Sequence, residues 1–546
     1  MKVLGINTQH DGGCCLIIDG EVICAVSEER FTRERGAQGW WYSLFCCLER
    51  AQVQLSDIDL VVFSSYGDRL PKGFDGGLSA LGLPHGRCAA IDHHLSHAAS
   101  AFLLSPFEDA LILVLDGSGN DGDTESYFIG ERSEIERIGG NSVKSYVRGI
   151  GKTYEAFTSF LGWNMMDSGS TMALAAYGSP ARFSGLDLFE IHGDQVNSRL
   201  REKYLQGVLR FAAESSVDFG EPFARGETDI SCDVARFVQD RTEEAMIELV
   251  SRLITATGKR RICFAGGVAL NCVANEKVRR RSGAEEVFIV PAASDKGQAL
   301  GNALFGYCVL MKGGRPKPLS RDSFGKCYSD LDILQVLERR QELGNNFIVK
   351  APPIEFTKTN RIETEAARLV AAGNTVGWFQ GGSELGSRAL GHRSILADPR
   401  SLDIKTHLNA EVKRRAWFRP YAPTVLDDAA DRYFELDGPS PFMLFAPMTR
   451  PEKARLIPGV VHVDGTSRPQ TISSDSEPSF WKLVSEFYAL TEIPLVLNTS
   501  FNISGEPIVE TPKDAVSAFL RSGLDYLVLE DYLVWKRLPP WEKGQR

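Results

Sequence analysis

Residues 3–26, VLGINTQHDGGCCLIIDGEVICAV, alternate apolar runs with turn residues. Residues 3–7 predict a strand, His10-Asp11-Gly12-Gly13 a turn, 14–18 a second strand and 22–26 a third. Asp19-Gly20 between two apolar runs is a strong short-range hairpin signal. A comparable unit recurs about a hundred residues later. There 111–115, LILVL, is a buried-strand run, Asp116-Gly117-Ser118-Gly119 a loop, and 126–129 a return strand. Two strand–glycine loop–strand units predict a duplicated α/β architecture. A third strand, loop and helix follow at 262–265, Gly266-Gly267 and 268–271, where paired glycines let backbone amides approach a ligand.

The chain has 546 residues, enough for two to four domains. Its formal net charge is -10, its pI is about 5.6, and it lacks the dense Lys/Arg stripe that nucleic-acid binders need. No apolar run reaches the roughly 18 residues of a membrane span, and the first residues lack a signal-peptide pattern. The 11 cysteines form no CxxC pair, which fits small core residues in a reducing cytoplasm. These features set aside nucleic acid and membrane as partners. Residues 312–330, KGGRPKPLSRDSFGKCYSD, have linker composition. Beyond them, an amphipathic stretch at 362–372 and strands at 374–379, 493–497 and 526–535 predict a second α/β domain.

The sharpest chemical feature is Asp92-His93-His94-Leu95-Ser96-His97, which holds three of the chain's nine histidines. On a helix, His93 and His97 lie one turn apart on one face and can reach one ion. Bare HxxxH pairs more often serve as packed or capping histidines. Here Asp116 and Asp295 also sit in glycine-edged loops, and two imidazoles with two carboxylates suit Fe(II), Mn(II) or Zn(II). A second cluster, GGSELGSRALGHR at 381–393, embeds arginines among glycines, a composition able to grip phosphate or carboxylate and equally able to form a surface turn. KRRAWFRPYAP at 413–423 mixes cations with aromatics, and LNTSFN at 497–502 places polar groups after a strand, where ligands commonly meet α/β domains. Local positive charge in an acidic protein points to an anionic small ligand.

These ordered motifs resemble the O-carbamoyltransferases of the nodulation-factor, cephamycin and tobramycin pathways over nearly the whole chain. The resemblance implies a Kae1-like actin-like ATPase domain (a duplicated ribonuclease H-like fold) at 1–340 and a YrdC-like α/β domain at 341–546. The three glycine-edged loops look like the phosphate-1, phosphate-2 and adenosine motifs of the actin-like superfamily. The implied chemistry has two steps. Carbamoyl phosphate and ATP, with Mg, give carbamoyladenylate in the YrdC-like domain, and the Kae1-like domain passes the carbamoyl group to a hydroxylated small molecule, in some relatives during antibiotic biosynthesis. Carried over by position, the metal ligands are His93, His97, Asp116 and Asp295, with iron favoured. The catalytic residues are His10 and Arg35. In the Kae1-like domain the cofactor loops bring Gly117, Gly266, Gly267 and Asn271; the YrdC-like grips are Arg388, Lys413, Arg419, Arg468, Asn498 and Ser500. Arg468 lies in VDGTSR, which looks like the family's VDGTARxQ. One departure is Ser170 and Ala173 where the family usually reads GKxMGLAxYG.

Two other readings share parts of this pattern. A threonylcarbamoyl-type transferase acting on tRNA has the same HxxxH motif, but the acidic pI and the missing basic stripe oppose it. A non-catalytic nucleotide sensor would leave the Arg388 and Lys413 clusters without a task.

Overall fold

The computed structural model describes residues 1–65, 74–84, 86–119, 122–141, 149–343 and 353–536. The chain divides into two compact units. The first holds Met1–Glu28, Gly36–Leu319 and Leu444–Ala446; the second holds Glu29–Arg35, Ser320–Met443 and Pro447–Arg546. The second unit takes in residues from Ser320 onward together with a short N-terminal segment. The stretch with linker composition belongs partly to its packing: Leu385 N–H donates to Asp322 O at 3.0 Å and Gly325 N–H to Ser383 O at 2.9 Å.

In the first unit β1 (Lys2–Asn7), β2 (Gly13–Ile18) and β3 (Glu21–Ser27) form an antiparallel meander, and β4 (Leu60–Ser65) and β5 (Cys88–Asp92) add in parallel on the other side of β1. The Asp19-Gly20 turn has positive φ at both residues, 48° and 87°, the backbone of a type I′ hairpin. The topology then repeats. The strands β6 (Asp109–Leu115), β7 (Glu125–Glu131) and β8 (Glu134–Gly140) form a second meander. After a small ribbon of β9 (Phe189–His192) and β10 (Gln195–Ser198), β11 (Arg261–Ala265) and β12 (Glu286–Ile289) add in parallel beside β6. The sheet orders, β3-β2-β1-β4-β5 and β12-β11-β6-β7-β8, are the same order written from opposite edges. The duplication read from the two glycine-loop units is thus present strand for strand.

Helix His93–Phe102 follows the last strand of the first sheet yet packs on β6 and β11 of the second, while helix Gln298–Phe305 follows the second sheet and packs on β1, β2 and β4 of the first. Each sheet is covered by the helix that leaves the other. The two helices touch where Gly301 lies so close to Ser96 O that a Cβ would come within 2.0 Å. Likewise a Cβ at Gly5 would meet Ala299 O at 2.0 Å, so only glycine lets Gln298–Phe305 seat on β1.

The second unit is built on one mixed sheet. Its strands are β13 (Ile354–Lys358), β14 (Val376–Phe379), β15 (Arg393–Ala397), β16 (Ala422–Leu426), β17 (Gln470–Ile472), β18 (Leu495–Ser500), β19 (Tyr526–Leu529) and β20 (Tyr532–Lys536), in the order β13-β20-β19-β14-β15-β18-β16-β17. Helices Ile362–Ala371 and Pro478–Thr491 pack against each other, and Ala366, Val370, Leu483 and Phe487 join the core with Trp378. Buried Trp378 donates from Nε1 to Gly391 O at 2.9 Å, which satisfies its single polar atom. The segment at 526–535 resolves into the hairpin β19–β20. Among the described residues no helix is long and apolar enough to cross a membrane.

Candidate metal centre and a separate basic cluster

In the first unit, Asp92 ends β5 and its carboxylate accepts the Leu95 amide at 2.9 Å, capping helix His93–Phe102. The helix is then locked in place by small buried residues, Ser96, Ala98, Ala99, Ser100 and Ala101. This arrangement fixes where His93 and His97 point. Asp116 follows β6, and Asp295 opens the turn before Gln298–Phe305. One donor atom from each of His93, His97, Asp116 and Asp295 lies within 4.8 Å of the others, and all four residues are buried. Asp295 Oδ1 is 3.4 Å from His93 Nε2 and 3.2 Å from His97 Nε2, while Asp116 Oδ2 is 3.5 Å from His93 Nε2.

The donor chemistry fits a divalent cation. His93 Nε2 is buried and makes no hydrogen bond among the described residues, although two carboxylates flank it. An orphaned buried polar atom costs about 1–3 kcal/mol, which an ion would recover. Burial opposes charge on His93, but Asp295 and Asp116 outweigh it and raise its pKa to about 10. The same neighbourhood holds Asp116 well below the carboxylate range, despite burial, through His93 and His97. Without an ion the buried carboxylates hold a proton on His93; a bound cation would replace that proton and leave the imidazole neutral to ligate.

The glycine loops serve this centre from within. Gly267 N–H donates to Asp116 Oδ1 at 2.9 Å, so the paired-glycine amide orients a carboxylate of the cluster. Residues 267–270 form a 3₁₀ turn, and the α-helix that follows is Cys272–Arg281. Asn271 caps that helix, accepting from Ala274 N at 3.1 Å, and exchanges amide bonds with Gln239 at 3.0 and 3.1 Å. Its side chain is thereby committed within the protein. Gly266 has φ 89°, and a Cβ there would stand 2.2 Å from Leu115 O. Gly266→Ala is therefore expected to destabilise the first unit by about 2–3 kcal/mol, read as a lower midpoint in chemical denaturation. An unchanged midpoint would mean this loop relaxes freely.

His10 is the least buried member of the neighbourhood. Its side chain is 54% exposed and its Nε2 is 3.1 Å from Asp295 Oδ2. Asn7 holds the His10 turn, donating to His10 O, Asp11 O and Asp295 O at 3.2 Å each. Sequence reading missed Lys152 and Glu155 on helix Ile150–Phe160, which pair at 2.8 Å beside Gly117. Burial and then Lys152 set the Glu155 carboxyl, with a net rise to which Asp116 adds. Nothing in the local motif of Gly117 announces either residue.

The second unit carries its own cluster. Lys413 is buried, and its Nζ donates to Ser500 O at 2.6 Å, Ser500 Oγ at 3.1 Å, Asn502 O at 3.0 Å and Asn502 Oδ1 at 2.5 Å. Burial first, then Arg415 and Arg419, hold its ammonium well below the usual lysine range. Arg415, read from the sequence as part of the cation–aromatic stretch 413–423 without a role of its own, stacks on Tyr421 with 4.5 Å to the ring centre, and Nε donates to Asn409 Oδ1 at 2.9 Å. Burial lowers its pKa as well, and Arg468 contributes repulsion. Mutually repelling cations of this kind are stabilised by an anion. Arg468 Nε and Asn498 Oδ1 are buried and bond to nothing among the described residues. The amide of Asn498 is anchored to Ala389 O at 3.1 Å and Thr424 Oγ1 at 3.0 Å.

The 381–393 glycine stretch divides in use. Arg388 and Arg419 are half-buried. Arg393 is fully buried, stacks on Phe379 with 3.5 Å to the ring centre and donates to Gln380 O at 3.0 Å, so it is an internal brace. Glu384 Oε1 accepts the Leu390 and His392 amides at 2.7 and 3.0 Å and folds the loop after Arg388. Arg35 is exposed and lies in the Glu29–Arg35 segment of the second unit, whereas His10 belongs to the first. The structure groups His10 with Asp295 and does not group Arg35 with either within one unit.

Similarity to known proteins marks the chain as an enzyme of group transfer. Residues 2–75 and 85–304 match the family model for the carbamoyltransferase N-terminus, and residues 367–536 match that for the carbamoyltransferase C-terminus. Nodulation protein NolNO of Sinorhizobium fredii is 36% identical over 98% of this chain and 80% of its own. An uncharacterized protein of Synechocystis, sll1178, is 32% identical over 98% of this chain and 97% of its own. Nodulation protein NolO of Bradyrhizobium diazoefficiens is 36% identical over 82% of this chain and 79% of its own. The chain belongs to the carbamoyltransferase family, enzymes that transfer carbamoyl groups.

Proposed function

We propose that this carbamoyltransferase is an ATP-dependent O-carbamoyltransferase that works in two half-reactions, with a Kae1-like first unit and a YrdC-like second unit. In the second unit carbamoyl phosphate and water give carbamate and inorganic phosphate. A carbamate oxygen then attacks the α-phosphorus of ATP, forming carbamoyladenylate and expelling pyrophosphate. Two polyanions must be held together for this. Lys413, Arg415, Arg419, Arg468 and Arg388 supply the positive field, Arg468 Nε–H is a donor for a phosphate oxygen, and Asn498 Oδ1 is an acceptor suited to the carbamoyl NH2.

In the first unit the hydroxyl oxygen of a small-molecule acceptor attacks the carbamoyl carbon, the bond to AMP breaks, and the hydroxyl proton needs a base. His10 is that base. Its Nε2 faces Asp295 Oδ2 at 3.1 Å, which fixes the tautomer with a proton on Nε2 and leaves Nδ1 to accept. This His10–Asp295 pairing at the edge of the metal-ligand set is the observation that most supports the reading. His93, His97, Asp116 and Asp295 would hold a divalent ion, Fe(II), Mn(II) or Zn(II), which when bound supplies charge stabilisation for the phosphate of the leaving AMP.

The test supplies purified protein with ATP, Mg(II), Mn(II) and carbamoyl phosphate, without acceptor. Pyrophosphate is expected only when carbamoyl phosphate is present, and adding hydroxylated metabolites is expected to yield AMP with a carbamoylated product by mass spectrometry. Absence of pyrophosphate under these conditions would overturn the two-step scheme.

A further inference from the structure

Arg30 is one of the most deeply buried large side chains in the protein, at 1% exposure, and sits in a segment rich in charge, Glu28-Glu29-Arg30-Phe31-Thr32-Arg33-Glu34-Arg35. Such burial demands partners. Its guanidinium NH2 donates to Glu384 O at 2.9 Å and Gly386 O at 3.0 Å, and NH1 lies 3.3 Å from Glu29 Oε1. The two carbonyls flank Leu385, and Gly386 is two residues before Arg388. From the other side Asp322 Oδ2 accepts the Gly386 amide at 2.8 Å. Burial pushes the Asp322 carboxyl up to about 8 against that amide bond; Glu384 adds to the rise and Arg30 opposes it.

Arg33 repeats the pattern on a second loop. It adopts φ 62° after the short helix Glu29–Thr32, and its guanidinium donates to Ile508 O at 2.7 Å and Pro507 O at 2.9 Å. That loop follows Glu506, whose carbonyl accepts from Asn502 Nδ2 at 2.7 Å, and Asn502 in turn accepts from Lys413. Two arginines from the N-terminal sequence therefore hold, by backbone carbonyls, the two loops that present Arg388 and the Lys413 partners. All these contacts lie within the second unit.

We propose that Arg30, assisted by Arg33, is a positioning residue for the anion-binding loops of the second unit, and that its task is to place Arg388 for carbamoyl phosphate. The role rests on the reading that this unit forms carbamoyladenylate. A guanidinium suits it because one planar group can reach two carbonyls of a tight turn at once, which an ammonium on a flexible stem does not do with fixed geometry.

The experiment measures carbamoyl-phosphate-dependent pyrophosphate release by full-length Arg30→Met, Arg30→Lys and Arg33→Ala, each compared with Mn(II) binding measured with the metal alone. Arg30→Met is expected to raise KM for carbamoyl phosphate at least ~10-fold with kcat changed less than ~3-fold, and Arg30→Lys to recover part of the loss. Mn(II) affinity should stay at the wild-type value, because the histidine cluster lies in the other unit. Should Arg30→Met fail to fold, Arg33→Ala carries the same test with a smaller rise in KM. An unchanged KM in folded variants, or Mn(II) affinity falling in step with KM, overturns the positioning role alone. A wild-type protein that releases no pyrophosphate overturns the proposed function, and this role with it.

Discussion

Asp295→Asn is expected to cost on the order of 10³ in carbamoyl transfer while pyrophosphate release in the second unit continues. Asp295 is the carboxylate shared by three imidazoles: His93 at 3.4 Å, His97 at 3.2 Å and His10 at 3.1 Å. Asparagine keeps the size but removes the negative charge, so the site loses a ligand and the orienting partner of the base together. Metal content by elemental analysis should drop in parallel with transfer. Retention of a full complement of metal would show that Asp295 is not a required ligand, and a transfer rate within a few-fold of wild type would remove Asp295 from the transfer step. Loss of pyrophosphate release as well would mean the two half-reactions do not divide between the units.

His10→Ala is expected to lower transfer by about 10² to 10⁴, the range of general acid–base catalysis, and to leave metal content and carbamoyladenylate formation in place. The separation from the previous variant is built into the geometry. His10 reaches Asp295 Oδ2, whereas His93 and His97 reach Oδ1, and His10 is half-exposed while the other two are buried. In the variant, carbamoyladenylate should accumulate or hydrolyse slowly without carbamoylating the acceptor. Transfer at the wild-type rate would remove His10 from the mechanism and point to another base such as Glu155, which lies beside Gly117.

What the sequence made legible was local. The Asp19-Gly20 turn, the strand runs around it and their recurrence before Asp116 carry their conformations in residue type, because apolar period and turn chemistry act over a few positions. The HxxxH spacing announced two side chains on one helical face, and helix His93–Phe102 supplies that face. The contributions of Arg30, Arg393 and Glu155 were illegible for a common reason. Each is decided by a partner distant in sequence or by how deeply it is buried, and a charged letter in a string reads as solvent-exposed by default. Arg393 sits among glycines as a phosphate grip would, yet its guanidinium lies on Phe379 inside the unit. The amide of Gly267 bonds to Asp116 and the side chain of Asn271 caps a helix, contacts that a glycine-loop composition does not announce. The glycine- and proline-rich stretch around Ser320 contributes its own backbone bonds to the second unit, which its composition does not show.

The helix that carries His93 and His97 is enclosed along its length and pinned where Gly301 meets Ser96. If the cluster holds a cation, as proposed, the two imidazoles would meet it from a buried helix with little freedom to shift. Adjustment to a larger or smaller ion would then fall on the two carboxylates, Asp116 and Asp295, and on how readily the ion sheds its hydration water.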